Sequence, residues 1–123
     1  MEYQHSTHHH SGHPHAELID TIIACALACE DCVVACLEEK DVTMMARCIE
    51  LDRDCADICF LAARLLRRDS EIAHPYLKVC AEICRLCGDE CSMHQHKHCQ
   101  ECARACRRCE EACMQHHAEA QLQ

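Results

Sequence analysis

Read for its apolar positions, the chain divides into four long segments in which core-type residues return every three or four places, separated by charged ones. The first stripe is Leu18, Ile22, Cys25, Cys29, Cys32 and Cys36. The second is Met45, Cys48, Asp52, Cys55, Cys59, Ala62 and Leu66. A third holds Leu77, Cys80, Cys84, Cys87, Cys91 and His94, and a fourth Cys99, Cys102, Cys106, Cys109 and Cys113. Alternating steps of three and four stay on one face of an α-helix, the seam of a helical bundle. The pattern predicts a first helix from Pro14 to about Glu39 and a second from an Asp41 N-cap to about Arg68. A turn at Asp69 or Ser70 follows, and Pro75 argues against regular helix before it. The third helix then runs from Pro75 to His94, and after the link Gln95-His96-Lys97 the fourth reaches His117 or beyond. Gly88 inside the third helix costs roughly 1 kcal/mol and marks either a close helix contact or nothing.

Short links between such segments favour an all-α fold, an antiparallel up-down-up-down four-helix bundle, with residues 14–120 as the bundle. Residues 1–13 form a polar tail carrying His5, His8, His9, His10 and His13, either a disordered extension or a weak site for divalent metals.

What sets the pattern apart is the chemistry of the seams. Sixteen of 123 residues are cysteine, and thiols occupy the places where Leu and Ile are usual. Aromatic content is only 2%. The N-terminus has neither a basic start nor an apolar stretch, so no secretory signal is visible and a cytoplasmic location is expected. In a reducing compartment, cysteine richness points to metal rather than to a disulfide scaffold. Neighbours along one helical stripe would in any case make strained bridges. The formal charge of −9 gives no reason to expect nucleic acid or an anionic membrane as partner. No apolar run approaches the ~18 residues of a membrane span.

In antiparallel register the bundle has two unlike ends. The links between helices one and two and between three and four fall together, gathering Met44, Met45, Met93, His94, His96 and His98. The opposite end collects Leu18, Ile22, Ala62, Leu66 and Leu77 as an apolar plug. Thiolate and thioether are soft ligands that favour Cu(I), zinc and iron–sulfur clusters. Zinc wants tetrahedra, usually built from paired cysteines in loops, and clusters draw their ligands from turns. Cu(I) accepts two or three thiolates, so pairs on one helix suffice, and bridging thiolates let one column hold many ions. Each Cu⁺ can displace one proton, which keeps the buried core near neutral during loading. Unfilled, the thiols should be neutral and pack as small hydrophobes, so the bundle should fold empty. The expected cargo is therefore multiple Cu(I) ions. The candidate ligands are the sixteen seam cysteines, with Met44, Met45, Met93, His94 and His98 as a mouth where a copper chaperone or chelator would exchange ions.

The repeated CxxxCxxCxxxC helices, the closing CxxCxxxCxxCxxxC helix and the Met/His cluster resemble the bacterial copper storage protein family over about residues 14–117. The lack of an export signal resembles its cytosolic branch. The resemblance implies storage of copper or protection from it, without catalysis, in a homotetramer of four-helix bundles. Asp52 departs from an all-thiol seam and would interrupt the copper column locally. The rival of another class is a thiol oxidoreductase, suggested by the pairs Cys29–Cys32, Cys84–Cys87, Cys99–Cys102 and Cys106–Cys109. Redox pairs sit at a helix N-terminus, where the dipole lowers a thiol pKa, whereas these are expected mid-helix. His96 reads as solvated, His116 as structural or exposed, and Glu38, Glu39, Arg67 and Arg68 as a solvated face with helix-end charges.

Overall fold

The computed structural model describes residues 13–121. Four helices make up the fold: α1 (Ala16–Leu37), α2 (Ala46–Arg67), α3 (Ala73–Ser92) and α4 (Lys97–Gln121). α1 packs against α2 and α4, and α3 packs against the same two, so the helices form a closed square. Short connections make sequence neighbours antiparallel. The histidines His5, His8, His9 and His10 lie outside the described residues.

Several boundaries differ from the sequence expectation, each for a local reason. Pro14 lies in a turn before α1 rather than inside it. Asp41 does not cap α2: a 3₁₀ turn, Val42–Met45, intervenes, and the Asp41 carboxylate instead accepts from His96 Nε2 at 3.2 Å. α3 starts at Ala73, two residues ahead of Pro75. A proline in the first turn is tolerated because those N–H groups have no partner within the helix. α3 ends at Ser92, so His94 falls just past it, where Gln100 Nε2 donates to the His94 carbonyl at 2.6 Å. At the end of α2, Asp69 takes a positive φ of 54°. Its N–H reaches the Leu66 carbonyl at 3.1 Å, and the Ser70 N–H reaches Leu65 at 2.9 Å. That paired closure satisfies two orphan carbonyls, and Asp is among the few residues that take the left-handed conformation readily.

The seams face inward as a single core. Ile22, Leu66 and Leu77 are fully buried at the plugged end, with Leu18 and Ala62 beside them. Gly88 is where α3 and α4 come close: a Cβ there would stand 3.3 Å from the Cys106 Cβ and 3.1 Å from an Arg107 guanidinium nitrogen. Close approach of backbone to neighbour is what the missing side chain provides. Among the described residues, no helix is long and apolar enough to cross a membrane.

Candidate metal centre

Every cysteine is buried and free, none more than 1% exposed. The seam periodicity brings sulfurs from all four helices to common levels. Cys25, Cys55, Cys59 and Cys84 form one group with ligand atoms within 4.8 Å of one another. Cys29, Cys87, Cys102 and Cys106 form another, and Cys59, Cys80, Cys84 and Cys109 a third. Cys59 and Cys84 belong to two groups at once, which is the arrangement bridging thiolates need. Close Sγ–Sγ separations run from 3.3 Å for Cys48–Cys91 to 3.9 Å for Cys25–Cys84. Such spacings suit the edges of a sulfur triangle or tetrahedron around an ion bonded at about 2.3 Å.

Asp52 sits within this column and is fully buried. It does not leave a gap. Its Oδ1 accepts from the thiols of Cys87 at 3.0 Å, Cys102 at 3.3 Å and Cys91 at 3.4 Å, and its Oδ2 lies 3.8 Å from Cys48. The sulfurs thus close around the carboxylate and use it as their shared acceptor. Burial pushes the Asp52 carboxyl up to about 8. In the metal-free core it is therefore mostly protonated at neutral pH, which fits the cost of an unpaired buried charge.

At the open end the imidazole that meets the thiols is His98. Its Nδ1 lies 3.5 Å from Cys99, 3.6 Å from Cys32 and 3.8 Å from Cys36, and these four form a further ligand group. Its Nε2 donates to the Glu39 carboxylate at 2.8 Å. That bond fixes the tautomer, so the Nδ1 lone pair faces the sulfurs, as in carboxylate–histidine–metal triads. Glu39 is thus an orienting partner rather than part of a solvated face. A sequence signal for it existed, since the links 38–45 and 93–96 share one end. His96 stacks on His98 with centroids 5.3 Å apart and pairs with Asp41 and Glu39, so it is half-buried rather than solvated. His94 points Nε2 at Glu90, 2.8 Å away, and Arg47 takes the other oxygen of that carboxylate at 3.3 Å. Met44 and Met93 are exposed, at 73% and 67%, whereas Met45 is fully buried in the core. The expected mouth therefore contains two exposed thioethers, one thioether inside and one imidazole directly on the thiols.

Three of the CxxC pairs lie mid-helix. Cys99 is the exception, in the first turn of α4, where a dipole would lower its pKa. Burial acts the other way and dominates, holding Cys99 well above the usual thiol range and Cys36 at about 11. Neutral, buried thiols beside an oriented imidazole suit proton-for-metal exchange better than nucleophilic attack.

The copper storage protein family profile matches residues 11–118. The chain belongs to the copper storage protein family. Among solved structures, Cu(I)-bound copper storage protein BsCsp3 matches with a TM-score of 0.80 and 44% identity, over 82% of this chain and 95% of that one. A cytosolic copper storage protein from Streptomyces lividans with five coppers matches at 0.80 and 43%, over 84% and 91%. The Streptomyces lividans protein loaded with 10 copper equivalents gives 0.82 and 38%, over 94% and 92%. The uncharacterized cysteine-rich protein YhjQ of Bacillus subtilis (strain 168) is 46% identical over 81 residues, 66% of this chain and 75% of that protein. Family membership agrees with the bundle read from the seams and with the thiol-lined core.

Proposed function

We propose that this bundle is a cytoplasmic, non-catalytic store that holds many Cu(I) ions on its core thiols. The observation that carries the reading is the shared membership of Cys59 and Cys84 in two sulfur groups, within a core where every thiol is buried and unbridged. Soft, low-coordinate, monovalent copper is the ion that such a column can take up one proton at a time. Titrating the reduced apo-protein with Cu(I) against a competing chelator should give more than about ten tightly bound ions per chain, without visible colour. Far-ultraviolet circular dichroism should barely change, because the tube is formed before copper arrives. Saturation at about one to four ions would sink the storage reading and favour a discrete cluster. A random-coil apo spectrum would point to metal-driven folding instead.

Ions are proposed to pass through the end bearing Met44, Met45, Met93, His94 and His98. Thioether and neutral imidazole hold Cu(I) less tightly than thiolate, so they can relay ions without trapping them. Oriented by Glu39, His98 would make the first contact with the thiols of Cys32, Cys36 and Cys99. Replacing His98, His94, Met44 and Met93 by Ala, with Met45→Leu to keep the packing, should slow loading from a donor and removal by a chelator. Equilibrium capacity should fall by only a few ions. Unchanged transfer rates in stopped-flow mixing would place the route elsewhere. A homotetramer is proposed in keeping with the family, and the apolar groove of Ile19, Ile23, Phe60 and Ala63 between α1 and α2 offers a face for it.

A further inference from the structure

Beyond the apolar plug, at the end opposite His98, a second set of histidines converges. His15 is the residue before α1, His74 lies in the first turn of α3, and His116 near the end of α4. Ring centroids are 5.0 Å apart for His15–His116, 4.9 Å for His74–His116 and 5.7 Å for His15–His74. Each ring carries a nitrogen that is buried and lacks a hydrogen-bond partner among the described residues: Nδ1 of His15, Nδ1 of His74 and Nε2 of His116. Buried polar atoms are nearly always partnered, so three orphans in one cluster need an explanation. Folding supplies none, since Ile22, Leu66 and Leu77 already close this end with apolar groups.

Two neighbouring histidines show what ordinary satisfaction looks like here. His13 Nδ1 accepts from the His15 N–H at 3.1 Å while its Nε2 donates to the Arg67 carbonyl at 3.3 Å. His117 Nδ1 donates to the His74 carbonyl at 3.1 Å. The three orphaned nitrogens differ in lying on rings packed against one another, two pairs edge to face and one stacked. A metal bonded to imidazole at about 2.0–2.1 Å lies about 3.2 Å from the ring centroid, and a tetrahedral angle then sets two centroids about 5.2 Å apart. The three observed separations bracket that value. The His74 and His116 rings are nearly parallel, at 13°, and must turn about χ2 to share an ion, a torsion that is broad for histidine. His15 has the outer partner usual for a ligating imidazole, with Asp69 Oδ1 3.5 Å from its Nε2.

We propose that His15, His74 and His116 form a second metal site, separate from the thiol column, that binds one Zn(II) through three imidazole nitrogens. Imidazole suits borderline divalent ions, whereas Cu(I) is drawn to the sulfurs.

The test uses full-length protein already saturated with Cu(I), so that the thiols are occupied, with His5, His8, His9 and His10 replaced by Ser. Zinc added to this protein should bind at one per chain. Zinc-edge X-ray absorption should then show nitrogen scatterers at about 2.0–2.1 Å and no sulfur at about 2.3 Å. His116→Gln and His74→Gln should each weaken zinc binding on the order of 100-fold. His15→Gln, at the start of a helix, gives the same reading if either of those variants misfolds. Cu(I) capacity should stay unchanged in all three. Zinc not retained by the parent, zinc retained equally by the variants, or sulfur in the zinc shell would each overturn the site.

Discussion

From about pH 4 to about pH 8 the metal-free protein loses stability steadily, and Asp52→Asn removes that loss. The sign follows from the carboxyl's two environments. In the unfolded chain it titrates near 3.8, and in the folded core near 8. Between those values the folded state holds a proton that the unfolded state has released, so rising pH favours unfolding. The slope from this group is about 1.4 kcal/mol per pH unit. The loss begins above pH 4, is complete above about pH 8, and is about 6 kcal/mol in all. The amide that this substitution introduces cannot ionise, yet it keeps a carbonyl oxygen to accept from Cys87, Cys91 and Cys102. Urea unfolding followed by circular dichroism, under reductant at several pH values, reads the difference between the two proteins. Parallel pH profiles for wild type and Asp52→Asn would show that the buried carboxyl does not govern apo stability.

Leu66→Ala lowers apo stability by about 2–5 kcal/mol and leaves the copper capacity where it was. Leu66 is fully buried with Ile22 and Leu77 in the plug, so truncation removes apolar contact and opens a cavity that the crossing helices cannot collapse to fill. No thiol is altered. Copper bound to the folded state alone adds stability by mass action, so the loaded variant should recover most of the lost melting temperature. Cys59→Ala should behave in the opposite way: a modest effect on the apo-protein, because a neutral buried thiol is a small hydrophobe, and fewer ions at saturation, because Cys59 serves two sulfur groups. Equal capacity losses in the two variants would mean that plug and column are not separate parts.

The seams were legible because the period of a helix is a property of the backbone. A thiol every three or four residues can face only one way, so sixteen cysteines announced both the bundle and its lining. Helix ends were less legible. The 3₁₀ turn before α2 depends on where the Asp41 carboxylate finds its partner, His96, which is distant in sequence. The start of α3 ahead of Pro75 depends on backbone that needs no hydrogen-bond partner in the first turn. Asp52 stood out on its seam as a misfit, but its role as shared acceptor needs thiols from α2, α3 and α4 at one level.

By itself, then, the sequence determined the helices, their inward faces, the soft-ligand chemistry of the core and the contrast between a polar end and an apolar one. These follow from local periodicity and residue type, which act over one or two helical turns. Tertiary structure alone decided which sulfurs come within reach of one another, that His98 meets the thiols while His94 turns to Glu90, and that Glu39 orients His98. It also decided that His15, His74 and His116 come together past the plug. Each of these rests on distances between side chains from different helices, set by helix crossing and axial stagger. Residue spacing along one chain carries no information about stagger, because sliding one helix past another leaves every stripe facing inward and changes every partner.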